Sequence, residues 1–342
     1  MTGCPYKGRE RPGKGLSHKN GGGSMSPEET SVKRKASSKG FWKELWKQRE
    51  LQFMVLPALA ALILFNLFPL FGLQIAFKDY KMNSGILGSA WVGLKHFKAF
   101  FTDPNVLPVL WNTIGLSVIK AFFTIPLPIL FALLLNEVTH ARFKKLAQTV
   151  SYFPYFLSWS VISLMAITWL SPQNGFINGF LISVGILKEP YFFLGEPKAF
   201  WGISISLDIW KNLGYSSIIY LAAMSSVDQE VTEAAVMDGA GRLRRIFHVT
   251  MPAILPTVMV LLIINIGNLL RGGSNFDISY NLMNSLNQPK AEILDTYVLK
   301  TGISMARFSY ATAIGLLQSV VASILLLSAN AVSKATTGES YF

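Results

Sequence analysis

One cysteine, four histidines and a charged fraction of 15% are what this 342-residue chain has little of, and each scarcity removes a class of function. The single cysteine, Cys4, excludes an internal disulfide. His18, His96, His140 and His248 fall in the amino-terminal tail and three separate loops with no ligand spacing, so no metal site is expected. Gly8-Arg-Glu-Arg-Pro-Gly13-Lys14 imitates a phosphate-binding loop, but Gly15 stands where a Ser or Thr must hold magnesium, and no strand precedes it. No Ser/His/Asp set can be assembled on one face, so no catalytic residue is assigned and the chain is not read as an enzyme.

What is present is apolar length. Hydrophobic residues make up 51% of the chain and the mean hydropathy is positive, the composition of an integral membrane protein. A hydrocarbon core about 30 Å thick needs roughly 20 apolar residues of helix. Six stretches qualify: Leu51 to Ala76, Val109 to Leu135, Leu146 to Leu170, Phe200 to Met224, Ala253 to Leu270 and Tyr310 to Val332. The expected fold is therefore all-α, a six-helix membrane domain over 51–332. An even number of crossings puts both termini on one side. If that side is the cytoplasm, the inner pieces from Met25 onward carry 14 Lys and Arg against 10 in the longer outer loops, as the positive-inside rule requires. The net charge of +12 then suits anionic lipid, and no nucleic-acid partner is expected.

Residues 1–40 are Gly/Ser/Lys/Arg-rich and are expected to be a disordered basic extension. Within it, 1–24 ends in Gly21-Gly22-Gly23-Ser24 and resembles an introduced linker or a leader, so the functional chain is expected to begin at Met25. Residues 41–50, with Phe41, Trp42 and Trp46 among basic residues, read as an amphipathic helix at the inner surface. Residues 333–342 form a tail. Gly175 to Leu187 is too short to cross and reads as an amphipathic helix lying flat at the outer mouth.

Between the fourth and fifth spans lies a polar loop, Ser225 to Met251, of 27 residues with three arginines and four carboxylates. Ser226 with Gln229 has capping-box spacing, so a short helix is expected to start near Asp228 and to run through Glu233, Ala234 and Ala235. Gly239, after Asp238 and before Ala240, supplies a sharp turn, and Arg242 to His248 forms a second helical piece. Pro252 suits the first turn of the next span. Alanines make a narrow helix able to enter a cleft, with Phe247 as an apolar anchor.

These residues resemble the EAA loop of permease subunits in binding-protein-dependent ABC importers: Glu-Ala-Ala, three residues, Gly, then Ile-x-Leu-Pro. Glu233, Ala234, Ala235, Gly239 and Pro252 are in register, with Val249 and Met251 replacing Ile and Leu. Leu56-Pro57, Ala76-Phe-Lys-Asp-Tyr80, Asn112-Thr113, Gly175-Phe-Ile-Asn178, Trp210-Lys-Asn-Leu-Gly-Tyr215 and Asp295-Thr-Tyr297 resemble the carbohydrate branch, in particular the first permease of aldouronate and alginate oligosaccharide importers, and more distantly maltose-type permeases. The resemblance implies a type I importer permease fold in the bacterial cytoplasmic (inner) membrane, paired with a second, homologous permease as a heterodimer. It implies two copies of a cytoplasmic ATPase docked on the loops, and an extracytoplasmic solute-binding protein delivering oligosaccharide. This chain would need no cofactor of its own, ATP and magnesium belonging to the ATPase. The loop would be the coupling helix.

Charge inside a span is costly, about 2.5–3.5 kcal/mol for Lys, Arg or Asp at the centre, and Lys120, Asp208 and Lys211 stand out. Asp208 and Lys211, three residues apart, can neutralise each other. Trp210, Asn212, Gly214 and Tyr215 at mid-span and Asn265, Asn268 and Arg271 in the outer half of span five offer the aromatic faces and amides that suit a sugar ring. By resemblance, the Gly214-Tyr215 and Asn268 neighbourhoods line the translocation path. Lys120, Lys211 and Arg271 together suggest an acidic, uronate-containing substrate. Two alternatives stay open: a secondary transporter or channel working without an ATPase, and an ABC permease for a non-sugar solute. Asp208 is the one clear intramembrane carboxylate, whereas ion-coupled carriers usually bury several.

Overall fold

The computed structural model describes residues 49–268 and 270–337. The basic extension 1–40, nearly all of the expected interfacial helix 41–50 and the last residues of the tail lie outside them. Two compact units are present, Met1–Ile63 and Leu64–Phe342. In the first, α1 (Arg49–Leu62) is apolar all round and exposes Phe53, Met54 and Leu59, the pattern of a helix whose solvent is lipid.

The second unit is a helical bundle. A 3₁₀ helix, Phe68–Phe77, completes the apolar run Gln52–Phe77 and leads into a two-residue hairpin of β1 (Lys78–Asp79) with β2 (Ala90–Trp91). α2 (Lys95–Thr102) precedes α3 (Val106–Thr124) and α4 (Pro126–Glu137), which together form one apolar run, Val106–Glu137. The third expected span is not one helix. α5 (Ala141–Tyr152) runs into a 3₁₀ turn at Phe153–Phe156, and α6 (Trp159–Trp169) leaves at 99°. Pro154 supplies no N–H to continue the helix, Leu157 and Ser158 are extended, and the Ser158 hydroxyl accepts from Val161 N to start α6 afresh.

α7 (Phe176–Ser183) is the short outer helix expected between Gly175 and Leu187; it exposes Phe176 and Phe180 and buries Asn178. The Asn178 amide binds the carbonyls of Leu170, Ser171 and Tyr191 and accepts from Tyr191 N, so it fixes the loop. α8 (Pro197–Ser225) follows, 29 residues long, or about 43 Å at 1.5 Å per residue. Among the described residues, length and apolar composition identify four crossing helices, or five with the bent pair. α8 reaches across by length, but its charged and hydroxyl side chains exclude it on composition.

Then come α9 (Gln229–Met237), α10 (Arg242–Arg245), α11 (Met251–Gly267), α12 (Gly273–Leu282), α13 (Leu294–Leu299) and α14 (Phe308–Thr337). Span five begins earlier than expected. A π-helical stretch, Ile246–Thr250, joins α10 to α11, so Arg242–Gly267 is one continuous run that includes Pro252 and Pro256. It also ends earlier, at Gly267. Asn268 caps it, and Arg271 lies beyond the helix where Gly272 and Gly273 turn the chain with positive φ.

α8 is the axis, packing on α3, α4, α5, α11 and α12. At the end nearer the 225–251 loop, Ile129, Ala132, Tyr220, Met224, Ile254 and Val258 join α4, α8 and α11. At the opposite end, Phe100, Val109, Leu294, Tyr297, Tyr310 and Ile314 form a second cluster. With apolar lipid as the competitor, such clusters hold through close packing rather than expulsion of water. Buried polar groups fix the ends. Asn112 donates to the carbonyls of Pro289 and Glu292, and Thr113 Oγ1 accepts from Leu294 N. Asp295 accepts from Gly272 N and from the Gln318 amide. Asn112-Thr113 and Asp295-Thr-Tyr297 therefore serve the fold.

Candidate functional site

The polar centre of the bundle lies where α3, α8 and α12 meet. Lys120 Nζ stands 3.2 Å from Asp208 Oδ1 and donates to Ser274 Oγ at 2.8 Å and Asn275 Oδ1 at 2.7 Å. The Asn275 amide in turn donates to Ser117 Oγ, and the Asn212 amide donates to Asp208. Lys120 and Asp208 are both buried. Asp208 and Lys211 attract each other but form no direct ion pair: Asp208 faces across the bundle to Lys120, while Lys211, a turn further on, points toward the break in span three. There its ammonium donates to the Tyr155 carbonyl at 2.7 Å, to the Leu157 carbonyl and to the Pro154 carbonyl at 3.5 Å.

Two adjoining cavities open beside this network. One, of about 270 Å³, is lined by Thr124, Asp208, Asn212, Ser216, Tyr220 and Asn265 among others. The other, of about 170 Å³, is lined by Ser117, Lys120, Asn268, Arg271 and Asn275 and shares Thr124, Asp208, Asn265 and Ser274 with the first. Hydroxyls and amides predominate in the smaller one and share the wall of the larger with Leu127, Pro128, Ile209, Leu213, Ile219 and Leu261. Of the charged groups in the smaller one, Lys120 and Asp208 cancel. Arg271 is exposed, hydrogen-bonds Ser319 Oγ at 2.9 Å, and pairs with no carboxylate among the described residues.

Of the residues expected on a substrate path, Lys120, Asn212, Asn265, Asn268 and Arg271 come together around these cavities. Trp210, Lys211, Gly214 and Tyr215 do not line them. Trp210 packs edge-on against Trp169, and Tyr215 stacks on Tyr155 with centroids 3.6 Å apart. Gly214 is buried where a Cβ would stand 2.3 Å from the Ser151 carbonyl oxygen. Ser117, Ser274, Asn275 and Ser319 were not foreseen. Small polar residues in an apolar sequence are a weak signal, but Gly272-Gly273-Ser274-Asn275 right after Arg271 is such a run.

The loop forms a second site. Asp228, not Ser226, caps α9 by accepting from Glu230 N at 2.9 Å; the Ser226 hydroxyl donates instead to the Ala223 carbonyl and closes α8. At the other end Gly239 N bonds to Val236 O and Ala240 N to Ala235 O, with Gly239 at φ +75°. This is a Schellman ending, in which only a residue tolerant of positive φ lets both bonds form. Glu233 is exposed and accepts from Gln229 at 2.8 Å; Ala234 is exposed, Ala235 half-buried. Met237 is 88% exposed and Phe247 65%, so the unit presents apolar side chains that no other described residue covers. Glu137, at the end of α4, lies 4.0 Å from both Arg242 and Arg245 and ties the loop to span two.

A bundle of membrane-crossing helices around a polar cavity, with an exposed glycine-broken helical unit at one end, is the arrangement of a transport permease. The chain belongs to the family described as binding-protein-dependent transport system inner membrane component, matched over residues 124–337. It is 44% identical over 85% of its length to the polygalacturonan/rhamnogalacturonan transport system permease protein YteP of Bacillus subtilis (strain 168), covering 89% of that protein. It is 41% identical over 87% of its length to protein LplB of the same organism, covering 92% of it. Among solved structures, it matches that of a bacterial ABC transporter involved in the import of the acidic polysaccharide alginate, with TM-score 0.80 and 35% identity over 87% of this chain and 99% of that one. The same transporter in complex with alginate pentasaccharide-bound periplasmic protein matches equally. The chain is thus a multi-pass inner-membrane permease subunit and not an enzyme.

Proposed function

We propose that this subunit forms half of the pathway of an ATP-driven importer for oligosaccharides bearing uronate groups. The observation that carries the reading is the amide- and hydroxyl-lined cavity with Arg271 as its one uncompensated charge among the described residues. Sugar hydroxyls suit Asn212, Asn265, Asn268 and Asn275, and a carboxylate suits a guanidinium, which binds it through two parallel N–H groups. YteP belongs to a polygalacturonan/rhamnogalacturonan transport system and the matched transporter imports the acidic polysaccharide alginate, which supports the same class here. A second, similar permease completes the path, and a solute-binding protein delivers the substrate at the face carrying α7. Both termini and the 225–251 loop lie in the cytoplasm, where two ATPase copies, holding ATP and magnesium, dock on Glu233, Ala234, Ala235, Asp238, Gly239, Ala240 and Phe247. Closure of the ATPases moves α9, and because Arg242–Gly267 is one continuous run, the motion passes through Pro252 into span five and the cavity wall.

Uptake of acidic and neutral oligosaccharides of equal length into vesicles holding the whole complex tests this. Arg271→Gln should lower uptake of the acidic compound about tenfold or more, the loss of one charge-assisted contact, and leave the neutral one unchanged. Equal transport of both by the unaltered complex removes the acidic reading. Transport by this subunit without ATPase or nucleotide removes the importer reading.

A further inference from the structure

The elbow in span three poses a physical problem. A helix that stops leaves carbonyls without intrahelical partners, and at membrane depth no water is at hand to satisfy them, so broken backbone persists only where protein groups replace the lost bonds. Lys211 does this at Tyr155 and Leu157, and its third N–H reaches at 3.5 Å the Pro154 carbonyl, which also accepts from Leu157 N at 3.2 Å. With Asp208 paired directly to Lys120, the Lys211 ammonium rests on those carbonyl dipoles and on the ring faces of Tyr155 and Trp159, at 5.4 and 5.3 Å, while the Asp208 and Asp277 carboxylates attract it without direct contact.

The neighbours of Lys211 on α8 grip both arms of the same elbow. Gly214 lets α8 close onto Ser151 and Tyr215 stacks on Tyr155, on the α5 side; Trp210 meets Trp169 on the α6 side. α6 packs on α12, with Ala166 and Leu170 in one cluster with Ile278 and Leu282, and α12 carries the Ser274 and Asn275 that hold Lys120 and wall the cavity. A continuous packed path therefore runs from the elbow to the cavity.

We infer that Lys211 is a positioning residue for transport: it holds the 99° elbow of span three and, through α6 and α12, sets the wall of the cavity without touching the substrate. The inference takes from the proposed function only that this cavity is the path.

Lys211→Met and Lys211→Arg in the whole complex test it, with acidic and neutral oligosaccharides delivered by the loaded binding protein. Lys211→Met should lower maximal transport of both by a similar factor, about tenfold, the order of effect of leaving buried carbonyls unpaired, with their KM ratio unchanged. It should also speed amide hydrogen exchange of the 153–160 segment relative to the rest of the chain. Lys211→Arg, which keeps charge and donors, should restore most of both. Selective loss of acidic transport by Lys211→Met would make Lys211 a substrate contact and overturn the inference, as would unaltered transport or an arginine variant no better than methionine. If Lys211→Met fails to assemble, Lys211→Gln, which keeps two donors, takes its place with the same exchange readout. A complex that moves no oligosaccharide at all refutes the proposed function, while exchange at 153–160 still judges the elbow.

Discussion

Lys120 Nζ stands 3.2 Å from Asp208 Oδ1 although Asp208 has Lys211 one helical turn away on its own helix. The choice of partner reflects what each cation already has to do. Lys211 faces the elbow carbonyls and is attracted by Asp277 as well as Asp208; apart from Asp208, Lys120, on α3, faces only hydroxyl and amide groups and needs a counter-charge. Asp208 thereby pairs directly with Lys120 and still attracts Lys211 from a distance, together with Asp277.

Breaking that pair should be costly. Removing one member of a buried ion pair strands its partner, and losses on the order of 3–5 kcal/mol are typical. Asp208→Asn and Lys120→Met should each lower the unfolding midpoint of the detergent-solubilised complex strongly, and the double variant should recover much of the loss. Because Asn212, Ser274 and Asn275 would lose partners too, recovery should be incomplete. A double variant as unstable as the sum of the singles would show that the two charges do not act as a pair.

Much of this was legible in advance, and the boundary is physical. Helix lengths follow from apolar runs, which are local, and the Asp-Gly turn at 238–239 follows from backbone conformation, also local. Hydropathy runs through the elbow as through an unbroken span because Phe153-Pro154-Tyr155-Phe156-Leu157 is as apolar as its surroundings; it does not register a backbone break. Pro154 was the available warning, and Lys211, more than 50 positions away, holds the answer. Likewise Trp210, Gly214 and Tyr215 have sugar-site chemistry, but whether an aromatic or a glycine faces a cavity or a helix depends on crossing geometry that sequence spacing does not carry. Asn265 and Asn268, three positions apart at the end of one helix, share a wall of the smaller cavity.

Asp103 gives a pH dependence outside the spans. Burial pushes its carboxyl pKa up, but the Asn105 backbone N–H, the hydroxyls of Tyr297 and Tyr310 and the Asn105 amide together outweigh this and hold it below the usual aspartate value of 3.8. A depressed folded-state pKa stabilises fully above the unfolded value and is lost as pH falls through the folded one. From pH 7 down to about 4 this contact should contribute constant stability, and below that the contribution should fade. Asp103→Asn should be less stable than the native protein at pH 7, with the gap narrowing below pH 4. Unfolding midpoints at pH 7, 5 and 3.5 measure it, and a gap that stays constant or widens on acidification would contradict the assignment.

Gly239 is a position where the folding of the subunit can be tested apart from the proposed coupling. Its φ of +75° allows both closing bonds of α9, yet a Cβ there meets nothing within 4 Å. Substitution is therefore opposed by backbone conformation alone, about 1–2 kcal/mol for a left-handed L-residue, and confined to an exposed loop. Gly239→Ala should leave membrane insertion and bundle stability intact while redirecting the chain between α9 and α10, weakening ATPase association. Gly239→Pro is more severe, since proline cannot take positive φ and removes the N–H that bonds Val236. The graded outcome, weakened retention of the ATPase for Ala and none for Pro at unchanged subunit levels, is read by co-purification. If both variants retain the ATPase normally, the α9 unit is not its docking element. Loss of the subunit itself from the membrane would instead show that the turn serves the bundle, contrary to its exposure.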